Sequence, residues 1–260
     1  MCGIAGMLSK DIDLRERRTL IKNISDSLKM RGPDGYGDFT KPYVSLIHRR
    51  LAVIDPERGA QPMTFGKYTI VYNGEIYNTE EIRNELTAAG YSFDTHCDTE
   101  IILKAYHLWK EESCKKLNGI FAYAVWDDEV KELFLCRDRI GVKPLYFTQK
   151  DGIFAFASRI KSLLLIPEVS SDVDENGLNE IFMLGPAKTI GTAVFKDIKE
   201  LPPATYLKFS GGKYEIKEYW QLKAAEHTEN ESETIEHTHF LTPSTPSRTP
   251  SSRRPSWEFR

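Results

Sequence analysis

The chain has 260 residues, 40% of them hydrophobic, enough for one large domain or two small ones around a buried core. Lys plus Arg number 35 against 38 for Asp plus Glu, and a net charge of -3 gives no electrostatic reason to expect nucleic acid or an anionic membrane as partner. The four cysteines, Cys2, Cys97, Cys114 and Cys136, lack CxxC spacing, which suggests neither a metal site nor a disulfide framework. No apolar run reaches the ~20 residues of a membrane span, and the N-terminus lacks the basic and apolar regions of a signal peptide. Small-molecule chemistry in a reducing cytoplasm is the expectation.

In chain order, Leu14, Ile21, Ile24 and Leu28 share one helical face. Val44 to Ile47, Leu51 to Ile54 and Thr69 to Tyr72 are rich in β-branched and aromatic residues and predict strands. Asn78 with Glu81 makes an N-terminal capping pattern for a helix from Thr79 to Ala89, which Gly90 can end. A second stripe, Ile102, Ala105, Tyr106 and Trp109, predicts another helix. Phe121 to Trp126, Leu133 to Cys136, Phe154 to Ala157 and Tyr206 to Phe209 read as strands, and the pair Gly211 and Gly212 as a hairpin turn. Past Trp220 the chain turns charged and then crowded with Pro, Ser, Thr and Arg, the composition of a disordered tail. The expected organisation is one domain over residues 2–220 and a polar tail over 221–260, with an α+β fold of sheets packed together under helices.

Several residues carry chemistry. If Met1 is trimmed, Cys2 owns both a thiol and a free α-amine, which titrates near 7.7 to 8.0 and can relay the thiol proton without a histidine. The same cysteine could instead be a buried structural thiol. Arg31 to Gly35 (RGPDG) encodes a tight turn. Arg50 opens the predicted strand Arg50 to Ile54, and its guanidinium could hold a carboxylate by bidentate hydrogen bonds, though in isolation it reads as a surface arginine. Asn73 and Gly74 stand where a strand gives way to a helix and could supply an amide side chain and an exposed N–H to an oxyanion, or simply a turn. Asp98 could cap the helix that follows or hold an ammonium group.

Together, RGPDG, Asn73 to Asn78 (NGEIYN), Asp98 to Glu100 (DTE), Phe121 to Asp127 (FAYAVWD), and Arg137 Asp138 with Gly141 to Tyr146 (GVKPLY) resemble the class II glutamine amidotransferases, and among them the asparagine synthetases. The resemblance runs from Cys2 to about Trp220. It implies the N-terminal-nucleophile hydrolase fold, an αββα sandwich of two stacked, mainly antiparallel sheets. It also implies Cys2, Asn73 and Gly74 as the catalytic set. The glutamine site would comprise Arg50 for the α-carboxylate, Glu75 and Asp98 for the α-ammonium, and the backbone of Leu51, Ala52, Val53 and Ile54. The implied partners are L-glutamine, the synthetase domain of a full-length chain and, as a further option, a second copy of the chain. No cofactor is expected here; ATP and magnesium would belong to the synthetase domain.

Two departures stand out. A pyrophosphate-binding stretch of the SGGLDSS type should open the synthetase domain, yet Ser210 Gly211 Gly212 is followed by Lys213 Tyr214. The chain is therefore expected to be incomplete, with a frame-shifted or foreign tail. Arg159 stands where the family usually has Glu, either reversing the charge of a junction contact or facing solvent on a helix. The alternatives to a glutaminase domain of asparagine synthetase are that of another amidotransferase-class ligase and a catalytically silent fold or dimerisation module.

Overall fold

A strand that is apolar at every position, as Phe121 to Trp126 is, needs cover on both of its faces. The computed structural model describes residues 1–52, 58–183 and 189–222 and supplies that cover in four layers. The strands are β1 (Gly3–Ser9), β2 (Gly35–Lys41), β3 (Val44–Arg50), β4 (Met63–Phe65), β5 (Tyr68–Ile76), β6 (Gly119–Asp127), β7 (Glu132–Arg137), β8 (Tyr146–Lys150), β9 (Ile153–Ala157), β10 (Lys199–Glu200), β11 (Thr205–Ser210) and β12 (Lys213–Glu218). The helices are α1 (Arg18–Ser27), α2 (Thr79–Ala88), α3 (Asp98–Trp109), α4 (Ser113–Lys116), α5 (Ile160–Leu163) and α6 (Glu175–Met183). One six-stranded sheet runs β10-β8-β9-β1-β3-β2 and the other β12-β11-β7-β6-β5-β4. All the neighbouring strands are paired antiparallel. The first compact unit of the chain is Met1–Gln221.

The two-residue period of a strand sorts side chains between layers. From β1, Ile4 and Leu8 enter the core between the sheets, where they meet Val71, Ala122, Trp126 and Phe156. Ala5 and Met7 face the other way, onto Leu14, Ile21, Ile24 and Leu28 of the α1 region. From β5 and β6, Ile70, Tyr72, Phe121 and Tyr123 pack under Ile82, Leu86, Ile102 and Tyr106 of α2 and α3. This is the expected αββα sandwich.

Several boundaries differ from the sequence reading. The predicted Leu51 to Ile54 strand is not one at its start: β3 ends at Arg50, so Arg50 closes a strand instead of opening one, and Leu51 and Ala52 lie outside any strand. Val53 and Ile54 lie outside the described residues. Asn78 precedes α2 as expected but makes no capping bond. Its side chain accepts from Asn118 N at 2.9 Å and donates to the Lys116 carbonyl at 3.0 Å, stitching the end of β5 to the start of β6. Gly90, at φ +93°, ends α2 as read, and Gly211 and Gly212, at φ +61° and +82°, form the β11–β12 hairpin turn. Among the described residues no helix is long and apolar enough to cross a membrane.

His48 of β3 is buried, and its Nε2 has no hydrogen-bond partner among the described residues. Burial lowers its pKa to about 4, against a bond to the Tyr72 backbone that pulls upward. As pH falls from 6.5 towards 4, the unfolded chain therefore takes a proton that the folded chain refuses, and stability is lost on acidification. His48→Gln should reduce the loss between pH 7 and pH 4.5 by on the order of 2 kcal/mol. Denaturant midpoints at the two pH values read this directly, and an equal loss in both proteins would refute it.

Candidate active site

Cys2 sits half-buried just before β1, and three contacts fix it and the start of its strand. Arg31 Nε donates to the Cys2 carbonyl at 3.0 Å. Ile4 N donates to Ser158 Oγ at 3.1 Å, and Ser158 N returns a bond to the Ile4 carbonyl at 2.9 Å. The thiol Sγ accepts from Leu51 N at 3.3 Å and lies 3.6 Å from the Leu51 carbonyl. The Arg31 to Gly35 turn, ambiguous as sequence, braces this segment: Asp34 N donates to the Arg50 carbonyl at 2.9 Å, and Ala52 N donates to Asp34 Oδ2 at 2.9 Å. Burial, then the neighbouring Arg159, lower the Arg31 pKa. Arg159 is not a solvated helix residue. It donates to the Ser27 carbonyl at 3.2 Å, at the C-terminal end of α1, where a cation suits the helix dipole.

The facing wall is the last part of β5. Phe121 N donates to Asp138 Oδ2 at 3.2 Å and its carbonyl accepts from Asp138 N at 2.8 Å. The Gly74↔Phe121 pairing is therefore not hydrogen-bonded, and the Gly74 N–H faces away from β6. On that edge the N–H two residues earlier, of Tyr72, is taken by Gln61 Oε1 at 2.6 Å. The one two residues later, of Ile76, is taken by Asp98 Oδ2 at 3.1 Å. Gly74 N–H stands between them without a described acceptor. Beside it, Asn73 is 1% exposed and its Nδ2 has no partner among the described residues. A Cβ at position 74 would lie 2.3 Å from the Ile120 carbonyl, so glycine alone fits there. The sequence reading put these donors beyond the strand; they lie within it, still paired with β6.

Asp98 is the first residue of α3, and the N-cap is Cys97. Its carboxylate turns instead to β5, accepting from the Tyr72 hydroxyl at 2.8 Å as well as Ile76 N. Burial and then Asp98 hold the Tyr72 phenol well above its usual range, so it remains a donor. Cys2, Arg50, Leu51, Asn73, Gly74, Glu75 and Asp98 all line one pocket of about 200 Å³. Ala52 does not reach it. Sequence reasoning missed Gln61, whose Nε2 ties Thr99 Oγ1 at 3.0 Å while its Oε1 holds Tyr72 N, and Lys143, which also lines the pocket. Nothing local flags Gln61; Lys143 lay in plain view within GVKPLY.

A larger cleft of about 420 Å³ opens beside Leu8 and Ser9 at the opposite end of β1, walled by Trp126, Ile153 and Phe209. Among the described residues no thiol lines it, whereas the smaller pocket joins the Cys2 thiol, two N–H donors without a described acceptor, a guanidinium and two carboxylates. Among the described residues no group of three His, Cys, Asp or Glu could hold a metal ion.

The glutamine amidotransferase domain family matches residues 1–220. Glutamine-hydrolyzing asparagine synthetase 3 of Bacillus subtilis (strain 168) is 44% identical over 239 residues, covering 90% of this chain and 39% of that protein. Synthetase 1 of the same organism is 39% identical over 184 residues, covering 69% of this chain and 29% of its own length. The chain thus spans well under half of these relatives. Among solved structures, the allosteric regulatory enzyme of purine biosynthesis aligns with a TM-score of 0.64 at 16% identity, over 85% of this chain and 50% of that one. Glutamine phosphoribosylpyrophosphate amidotransferase from B. subtilis aligns with a TM-score of 0.63 at 16% identity, over the same shares. At that identity the likeness shows the fold.

Proposed function

Because the chain belongs to the glutamine amidotransferase domain family, we propose that its Cys2 pocket hydrolyses L-glutamine and that the ammonia serves ATP-dependent amidation of aspartate in an asparagine synthetase. The α-amine of a processed Cys2 takes the thiol proton, and Sγ adds to the side-chain amide carbon. The resulting oxyanion is received by Asn73 Nδ2 and Gly74 N–H. Collapse expels ammonia, the leaving nitrogen taking its proton from the α-ammonium, and leaves a γ-glutamyl thioester. Water, deprotonated by the same amine, then releases glutamate. Arg50 binds the α-carboxylate of glutamine, Glu75 and Asp98 its α-ammonium, and Leu51 lines the approach. ATP and magnesium are needs of the synthetase domain alone, and the cytoplasm is the compartment where ATP, glutamine and reduced thiols coexist.

The observation that carries the proposal is the pair of adjacent donors without an acceptor among the described residues, Asn73 Nδ2 and, from the strand register, Gly74 N–H, in a pocket that also contains the Cys2 thiol. Buried donors are normally satisfied, and a developing oxyanion is the acceptor that would satisfy both. The test is steady-state ammonia release from glutamine. Asn73→Ala should lower kcat by ~100- to 1,000-fold with little change in KM, because an oxyanion donor acts mainly in the transition state. Arg50→Ala should chiefly raise KM. The reverse pattern would overturn both roles.

A further inference from the structure

The Arg137 Asp138 and Gly141 Val142 Lys143 motifs have no role in the mechanism above, yet they form a heavily braced loop near the site. Asp138 is fully buried, and its carboxylate accepts from four backbone N–H groups: Phe121 at 3.2 Å, Ile140 at 3.2 Å, Val142 at 2.9 Å and Lys143 at 2.9 Å. The Arg137 guanidinium, itself buried, donates to the carbonyls of Lys143 at 2.8 Å, Gly141 at 2.8 Å and Leu201 at 2.6 Å, and is ion-paired with buried Glu200. Gly141 turns the loop at φ +72°. A loop tied at this many points holds the backbone of Lys143 in one place.

That backbone delivers the Lys143 side chain into the Cys2 pocket. Lys143 is 7% exposed, and among the described residues the polar atom its Nζ reaches is the Met1 thioether, at 3.4 Å. A thioether is a weak acceptor, and an ammonium taken out of water without a strong partner is costly. The contact is also with the residue whose removal the Cys2 mechanism requires. We propose that Lys143 is a positioning residue for the nucleophile, its ammonium supplying a fixed positive charge beside the α-amine and thiol of a processed Cys2. The inference rests on the reading of Cys2 as nucleophile and deepens it.

The physics is a like-charge effect on the base and an opposite-charge effect on the nucleophile. A neighbouring cation disfavours protonation of the α-amine, so more of it is neutral near pH 7, where a free α-amine is mostly protonated. The same cation favours the thiolate once the proton has moved. Other charges also face Cys2. Arg31 holds its carbonyl from the turn after α1, Arg50 lines the pocket from the end of β3, and Glu75 of β5 and Asp98 of α3 stand on the facing wall, with Tyr72 a protonated neighbour. The two carboxylates oppose the effect in the empty pocket, and a bound α-ammonium offsets them.

The test compares the parent with Lys143→Met and Lys143→Arg, all confirmed by mass to begin at Cys2. In Lys143→Met the acid limb of kcat/KM for glutamine should move up by on the order of one pH unit, and Lys143→Arg should restore it. Independently of turnover, the pH dependence of Cys2 alkylation by iodoacetamide should move up in Lys143→Met. The other cysteines are buried and do not compete. A folded Lys143→Met protein with both profiles unchanged would overturn the inference, as would lost rate with unmoved profiles and no rescue by Arg. Absence of glutaminase activity in the parent would refute the reading of Cys2, while the alkylation profile would still decide the role of Lys143.

Discussion

Cys2→Ala should abolish ammonia release from glutamine, by on the order of 10,000-fold or more, because it removes the atom that forms the thioester. The fold should survive. Cys2 precedes β1, its side chain is only partly buried, and the strand after it is anchored through Ile4 and Ser158. The same variant should lose labelling by an electrophilic glutamine analogue. The remaining thiols serve as controls, since each is committed to packing. Cys114 is fully buried and donates to the Glu111 carbonyl at 2.8 Å, and Cys97 contacts Thr95 Oγ1 at 2.9 Å. Burial first, then Cys114, push the Cys136 thiol far above its usual range, so it is not nucleophilic. Alanine at any of the three should leave Cys2 labelled. Ammonia release at the parent rate by Cys2→Ala, measured with the fold verified by circular dichroism, would refute the assignment.

What the sequence revealed follows from where its signals came from. Strands buried on both faces, such as β5, β6, β7 and β9, announce themselves as apolar runs, and all four were read within a few residues of their ends. Strands at the sheet margins were not read. β12, Lys213–Glu218, is mostly exposed and built from alternating charge, which resembles a solvated loop as much as an edge strand. β2, Gly35–Lys41, carries two glycines and lies at the edge of its sheet. β1, an interior strand, was also not read: glycines at positions 3 and 6 break its apolar run, and Leu28 and Phe156 close over them. The site divides in the same way. Cys2, Asn73, Gly74 and Asp98 sit in motifs dense enough to draw attention, but their partners are tertiary: Gln61 reaches Tyr72, and Asp138 reaches Phe121, across loops whose spacing carries no periodic signal. Asp98 shows the cost of local reasoning. An acidic residue at a helix start reads as a cap, and only the approach of Tyr72 and Ile76 turns its carboxylate towards the pocket instead.

A chain that keeps Met1 should hydrolyse glutamine orders of magnitude more slowly than one that begins at Cys2. With Met1 in place the nitrogen of Cys2 is an amide, which takes no proton near neutral pH, so the mechanism loses its base while Asn73, Gly74 and Arg50 stay where they are. General-base catalysis typically contributes ~100- to 10,000-fold, which sets the expected loss. Met1 has a second effect in this structure. It lines the same pocket, and its thioether holds the Lys143 ammonium at 3.4 Å, so its retention both narrows the glutamine site and diverts a charge from the nucleophile. Retention should therefore raise KM as well as lower kcat, a combination that loss of the base alone would not give. The measurement compares protein shown by intact mass to start at Cys2 with the same chain carrying an uncleavable N-terminal extension. Equal turnover in the two would mean that another group supplies the base, and the N-terminal-nucleophile mechanism would have to be withdrawn for this chain.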